Sequence, residues 1–274
     1  IRLSLVGSEM CIRDRIWILP ASFLFGVWLS VTFVNPYDSS LTLSYLVFQL
    51  GGARGDILLE FNMLDLLEFS LRLVPNLVFQ AYAGTAFYRH YCTASVYIFS
   101  RIPKRLIWYK RESVILALKT LLYQGLIWAV AVVTAIVRWP LTPDRFGVWL
   151  LLFYWLIWSL WTYAFTLGIN LVAIYLGSSS GFVLLASLQA VCISLLITLQ
   201  AFESNKGLLA ILQRANPITC LILCWQTSKL FDRSGELYLE DSLLLVLVLA
   251  TTVTVAGGLI VQRHDLLISD TDGG

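Results

Sequence analysis

The sequence predicts an all-α membrane protein with six transmembrane helices. Of its 274 residues, 58% are hydrophobic and only 13% are charged, whereas about a quarter of the residues in a soluble domain are charged. The apolar residues form runs close to 20 residues long, which is the length that a helix needs to cross a hydrocarbon core of about 30 Å. The net charge of +2 is too small to indicate a protein that binds nucleic acid.

The six predicted spans make up a single domain over residues 16–268. Pro20 lies near the start of the first span, where its missing N–H costs least, and the second span contains Pro75, which we expect to kink it. A turn with two prolines separates spans three and four, and the uncharged stretch "YLGSSSG" separates spans four and five. The spans are predicted at residues 16–34, 64–87, 114–137, 147–172, 181–201 and 242–261.

The two ends of the chain are excluded from this domain. Residues 4–15, "SLVGSEMCIRDR", have no apolar periodicity and resemble a translated sequencing-adaptor scar, so residues 1–15 are interpreted as non-native. Residues 269–274 form a short polar tail.

Polar groups inside the spans are the first candidates for a functional site. Glu68 and Arg72 are four residues apart, in the order that favours a helical ion pair. Either this pair lies at head-group depth or it faces an internal cavity. The amides Asn170 and Gln189, like Gln124, are interpreted as interhelical hydrogen-bond formers rather than ligands.

Two further patterns within the apolar sequence allow more than one interpretation. Trp155, Trp158 and Trp161 are three residues apart, as in a packing or lipid-facing stripe or in an aromatic wall along a substrate path. Residues 207–225 contain two runs of about nine apolar residues divided by Asn216-Pro217, each too short to cross a bilayer. We expect a re-entrant hairpin of two half-helices, with a filter lining a conduit as the alternative.

The densest positive charge lies between spans two and three. Residues 88–111 contain six basic residues: Arg89, Arg101, Lys104, Arg105, Lys110 and Arg111. Because short loops rich in Lys and Arg stay in the cytoplasm, we expect both termini to be cytoplasmic. The block can also lie against anionic membrane lipid. Pro103 suits the first turn of a second short helix within it.

The layout resembles the permease subunit of type-2, export-class ABC transporters, particularly the small permeases of bacterial peptide and lantibiotic export or immunity systems. Gly84-Thr85 is followed by "YRHYCTASVYIFSR" and then by "IPKRLIWYKR", similar to the coupling helix and basic turn of that family. The Asn-Pro-divided stretch 207–225 and the ending "GGLIVQRHDLL" are also similar to it.

This resemblance implies a half-transporter in the bacterial plasma membrane. A cytoplasmic ATP-binding cassette subunit would bind the coupling helix after span two, through Arg89, Tyr97, Arg101, Lys104 and Arg105. A second copy of the chain, or a sister permease, would complete the path. The sequence lacks the phosphate-binding pattern G-x-x-x-x-G-K-[ST], so this chain cannot hold ATP by that device.

Other function classes are less consistent with the sequence. Neither HExxH nor GxSxG occurs, and the two histidines, His90 and His264, flank the predicted spans. We therefore predict no enzyme activity, no cofactor and no metal site. A proton-coupled carrier needs ionisable groups near the middle of the membrane, which spans three to six lack. A non-transporting membrane scaffold or sensor component remains the alternative.

Overall fold

The computed structural model describes residues 17–35, 41–52, 63–88, 105–198, 211, 214–223, 226–227 and 237–263. Within these ranges the fold is all-α, as predicted, with seven α-helices, one 3-10 helix and four strands of two residues. In chain order these are α1 Ile18–Phe33, β1 Leu41–Thr42, α2 Leu43–Gly51, α3 Met63–Ala83, α4 Arg105–Arg138, β2 Leu141–Thr142, α5 Arg145–Leu176, α6 Ser178–Thr198, the 3-10 helix Pro217–Leu221, β3 Gln226–Thr227, β4 Leu237–Tyr238 and α7 Leu239–Arg263.

Four of these helices, α4 to α7, are long and apolar enough to cross a membrane. Their positions correspond to the last four predicted spans. Helix α1 is apolar but has 16 residues, and α3 has 21 residues but carries Asp65, Glu68 and Arg72. Both helices form where spans one and two were predicted, while their crossing of the bilayer stays a prediction.

Helix α5 is at the centre of the described bundle. It packs against α2, α3, α4, α6, α7 and the 3-10 helix, and Tyr154, Ile157 and Trp161 on it are fully buried. Trp158 is buried as well, as the packing interpretation of the tryptophan stripe expects for Trp158 and Trp161. The outer surface of the bundle is apolar as well. An example is a row of exposed side chains along α6, formed by Leu184, Leu188, Val191 and Leu195.

One end of the bundle holds the turns after α1 and after α4. Leu41 of β1 pairs with Leu141 of β2. Asp144 caps the start of α5, where its carboxylate accepts a hydrogen bond from the Gly147 N–H (3.0 Å), and also accepts one from the Ser44 N–H (3.0 Å). Two segments about 100 residues apart in sequence are thereby joined at this end, which we call the turn end.

The start of α4 and the end of α7 meet at the opposite end of the bundle. The Tyr109 hydroxyl donates to the Thr254 carbonyl at 2.8 Å. A Cβ on Gly257 would lie 2.3 Å from the Tyr109 hydroxyl oxygen, so only glycine permits this approach. We call this the basic end, because Arg105, Lys110 and Arg111 lie on the first two turns of α4.

The structure differs from the sequence expectations in two connections. Where a separate short helix was expected near Pro103 ahead of a span starting at residue 114, α4 is one continuous helix of 34 residues from Arg105. The expected link 173–180 is a single residue, Gly177, whose φ of 86° reverses the chain at a cost that glycine alone avoids.

The stretch 207–225 is also broken at Asn216-Pro217, but not into two half-helices of nine residues within its described part. Residues 214 and 215 are helical and Pro217–Leu221 is a 3-10 helix, which Asn216 caps by accepting from the Ile218 N–H at 3.0 Å. The 3-10 helix is buried against α5, α6 and α7. Non-helical backbone at membrane depth is tolerated where protein covers it, so this burial is compatible with a re-entrant segment.

Candidate functional site

A row of polar side chains follows one face of α3 through the interior. Glu68, Arg72, Asn76 and Gln80 recur every four residues, so they lie on one side of the helix. The last three are almost completely buried, with exposures of 4%, 1% and 0%. We call this row, together with its hydrogen-bonding partners on the neighbouring helices, the polar seam.

The predicted ion pair is confirmed at the first step of the seam. An Arg72 guanidinium nitrogen lies 2.5 Å from a Glu68 carboxylate oxygen. The guanidinium also donates to the carbonyls of Gln49, at 3.0 Å, and of Gly52, and lies 4.4 Å from the centre of the Phe33 ring. The Gln49 and Gly52 carbonyls are at the C-terminal end of α2, where the helix dipole is negative and a cation is stabilising.

Helix α2 enters the bundle from the turn end. Its first residue lies beside Gly147 at the start of α5, whereas its last residue, Gly51, contacts Tyr154, about two turns further along α5. A Cβ on Gly51 would lie 2.4 Å from a Tyr154 ring carbon, so the close approach requires glycine. The α2 segment was not predicted, and it ends inside the protein at the seam.

Tyr154 joins the ends of two helices inside the bundle. Its hydroxyl donates to the Gly51 carbonyl at 2.6 Å and to the Leu221 carbonyl at the end of the 3-10 helix. A single hydroxyl proton is therefore shared between two acceptors from segments 170 residues apart in the chain. Both carbonyls lie at the C-terminal end of a helix, where the last carbonyls have no partner within the helix.

The middle of the seam joins three helices. Gln124 on α4 donates to the side-chain oxygen of Asn76 and to the Thr162 hydroxyl on α5 (3.1 Å). The Thr162 hydroxyl also lies 3.0 Å from the Asn76 oxygen. The interpretation of Gln124 as an interhelical hydrogen-bond former is confirmed.

A cavity beside this group holds space for about one water molecule. Arg72, Asn76, Gln124 and Trp158 line it, and its volume is about 20 Å³, just above the minimum for one water. The buried indole N–H of Trp158 has no hydrogen-bond partner among the described residues. One ordered water would therefore have polar neighbours here, but the described part of one chain leaves no room at this point for a larger solute.

Further along, Gln189 on α6 donates to Gln80 at 2.9 Å. Both amides are buried. The remaining polar atoms of the pair, the Gln80 amide nitrogen and the Gln189 amide oxygen, have no hydrogen-bond partner among the described residues. Gln189 was a predicted intramembrane polar group, and its interhelical hydrogen bond is confirmed.

Asn170 closes the seam at the basic end. Its amide nitrogen donates to the Ala83 carbonyl (2.9 Å), and its oxygen accepts from the Phe87 N–H (2.8 Å). These bonds bridge the Gly84-Thr85 turn, which follows α3. The Asn170 side chain thus fixes the direction in which the chain leaves α3 toward the basic segment.

Most of the predicted docking residues lie outside the described residues. Arg89, Tyr97, Arg101 and Lys104 lie outside the described residues, and Arg105 is the half-buried first residue of α4. Glu68, Arg72, Asn170 and Gln189 all fall on the polar seam, which spans α3 from the turn end to the basic end. Asn76, Gln80, Tyr154 and Thr162 were not singled out from the sequence.

No family model, curated protein or solved structure matches this chain. Its function is therefore argued from the geometry of the bundle and from its charges.

Proposed function

We propose that this chain is the membrane-spanning subunit of an ATP-driven, export-class transporter of the bacterial plasma membrane. It would cross the bilayer six times, through α1 and α3 to α7, with both termini in the cytoplasm. A separate cytoplasmic ATP-binding cassette subunit would bind the segment 88–111, and a second permease chain would complete the path.

The length and charge of α4 carry this proposal. Its 34 residues extend over about 51 Å, roughly 20 Å more than the hydrocarbon core. Arg138, which stacks on Trp139 at 4.2 Å, suits one interface, and Lys119, about 28 Å away along the helix, suits the other. The excess then lies at the basic end.

The projecting turns carry a concentration of positive charge. Arg105, Lys110 and Arg111 lie on the first two described turns of α4, and Lys110 and Arg111 are exposed. A cytoplasmic location or an acidic partner surface suits such a cluster, and both are expected of a coupling region.

The polar seam suits a subunit whose helices shift between two arrangements. It consists of hydrogen bonds between helices whose partners can be exchanged, rather than of fixed apolar packing alone, and Asn170 connects it to the turn that leads into the basic segment. A partner that pulls on this segment would act on α3 directly. Differential contacts of that partner in its two nucleotide states would then bias the equilibrium.

Copurification tests the proposal. Tagged protein extracted in mild detergent should recover an ATPase with a phosphate-binding loop, and Arg101→Glu with Arg105→Glu should abolish that recovery. The matched control is Arg138→Glu with Arg145→Glu, which reverses two exposed charges at the turn end and should leave recovery unchanged. Undiminished recovery by the first pair would contradict docking on this segment.

A non-transporting scaffold or sensor is the second candidate. It is favoured by the small volume of the cavity on the seam, which leaves no room for a larger solute at that point of a single chain. Failure to recover any ATPase from intact, correctly inserted protein would support it.

A further inference from the structure

A second, larger cavity lies apart from the polar seam. It is a half-enclosed cleft of about 310 Å³ between α4, α5 and α7, near the basic end, and its size is at the lower limit of ligand pockets. Its walls are mostly apolar, with Val114, Ala117, Leu121 and Leu160 among them. Lys110, an exposed residue, lies at one end of the lining.

The cleft follows the direction in which a lipid would lie. It extends along α4 from Lys110 to Thr120 and Leu121, over about 16 Å of helix. A molecule in it would have one end among charges and water and the other among apolar side chains. That polarity matches a membrane amphiphile rather than a soluble metabolite.

An unsatisfied hydroxyl lies between these two zones. Ser113 is 3% exposed, lines the cleft, and has no hydrogen bond of acceptable geometry among the described residues. The neighbouring hydroxyls of Tyr109 and Tyr163 form hydrogen bonds with Thr254, at 2.8 Å and 3.0 Å, and the Ser113 side chain lies beside both of them. A buried hydroxyl without a partner costs free energy, which a ligand oxygen at this position would recover.

The charge of Lys110 also lacks a counterion. Within the described ranges it forms no ion pair, since the one that occurs there is between Glu68 and Arg72. An ammonium ion is a point-like cation suited to phosphate. The cleft thus has a lysine at one end, a buried serine next to it and an apolar wall beyond.

We propose that this cleft binds one anionic glycerophospholipid from the leaflet at the basic end. The phosphate contacts Lys110, Ser113 donates to an ester or phosphate oxygen, and one acyl chain lies against Ala117, Leu121 and Leu160. The inference does not depend on the proposed transport function. The cleft is distinct from the polar seam, and of its lining only Lys110 belongs to the segment 88–111.

Native mass spectrometry of the detergent-purified protein tests the site. The probes are phosphatidylglycerol and phosphatidylcholine with identical acyl chains, added at matched concentrations. The wild-type protein should retain one phosphatidylglycerol preferentially. Lys110→Gln should weaken its binding about fivefold, as expected for one basic residue at a membrane surface, while Arg111→Gln, which removes the adjacent charge outside the cleft, should not.

A second pair of variants tests the apolar wall. Ala117→Phe fills the cleft and should abolish the retained lipid, whereas Leu118→Phe places the same side chain at a neighbouring, 60% exposed position and should have no effect. Ser113→Ala should reduce lipid retention without lowering the melting temperature of lipid-free protein. This combination distinguishes a ligand contact from a structural one.

Several outcomes would overturn the site. These are equal retention of both lipids by the wild type, unchanged phosphatidylglycerol binding in Lys110→Gln, or unchanged binding in Ala117→Phe with correct folding by circular dichroism. A change of oligomeric state in Ala117→Phe without loss of lipid would assign the cleft to a second copy of this chain instead. Recovery of the ATPase by Ser113→Ala and Ala117→Phe, both outside the segment 88–111, would show that a failed lipid site leaves the proposed function intact.

Discussion

The hydroxyl of Tyr154 lies 2.6 Å from the carbonyl oxygen of Gly51, at the interior end of α2. The same hydroxyl donates to the Leu221 carbonyl at the end of the 3-10 helix. The C-terminal ends of α2 and of the 3-10 helix are therefore held by one side chain of the central helix.

Tyr154→Phe should lower the stability of the protein by about 1–3 kcal/mol, because two buried carbonyls lose their donor while the ring and its packing are kept. The measurement is the shift in the thermal unfolding midpoint in detergent. Tyr45→Phe removes a hydroxyl that makes no hydrogen bond within the described part of the chain, and it should leave the midpoint almost unchanged. Equal shifts in the two variants would argue against the special role of Tyr154.

Gly51→Ala should destabilise the protein, because its Cβ would lie 2.4 Å from a Tyr154 ring carbon and the ring is packed on all sides. The same substitution at Gly168 meets its nearest atom at 3.7 Å and lies within α5. It should be neutral or stabilise by up to about 1 kcal/mol, as glycine-to-alanine changes in a helix do. Opposite signs of the two shifts in the unfolding midpoint are the expected result.

Arg72→Met should destabilise by about 3–5 kcal/mol, since it leaves Glu68 without its buried partner and the α2 carbonyls without a donor. Adding Glu68→Gln should restore part of this loss, so a double-mutant cycle should give a favourable coupling energy. Arg138→Met, at an exposed position over Trp139, should cost at most about 1 kcal/mol. Additive effects of the two seam substitutions would contradict the ion pair as an energetic unit.

Variants of the amide pair Gln80–Gln189 test whether the pair has a structural or a functional role. Gln189→Leu alone leaves Gln80 buried without a partner and should destabilise, by about 0.6 to 1.7 kcal/mol as for other hydrogen bonds between membrane helices. Gln80→Leu with Gln189→Leu replaces both groups and should recover most of the stability. If the polar seam has a functional role in helix movement, the double variant should be stable yet lose ATPase stimulation in the reconstituted complex; full stimulation would assign the pair to structure alone.

Much of the fold was accessible from the sequence, because hydropathy alone locates the long apolar helices and the i,i+4 rule places Glu68 beside Arg72. The rest of the seam also left a signal, since Asn76 and Gln80 continue the spacing of four from Arg72. That spacing becomes informative only when the residues are considered as one helix face rather than as separate polar groups.

Other parts of the site left no such signal. The partners of Tyr154 are backbone carbonyls 103 and 67 residues away, and any residue type supplies a carbonyl. Helix α2 has nine residues, too few for a membrane span, although Thr42 caps it by accepting from the Tyr45 N–H at 3.4 Å. Its inward course depends on tertiary contacts with α5 and Arg72.

Cysteine accessibility in intact cells tests the central claim most directly, namely that the basic end lies in the cytoplasm and the turn end outside. Single cysteines in a cysteine-free background would replace Thr142, exposed on the turn end, and Arg111, exposed on the basic end. A membrane-impermeant maleimide should label Thr142→Cys in intact cells and Arg111→Cys only after permeabilisation. Labelling of Arg111→Cys in intact cells, with Thr142→Cys protected, would invert the orientation and exclude a cytoplasmic ATPase partner at this surface.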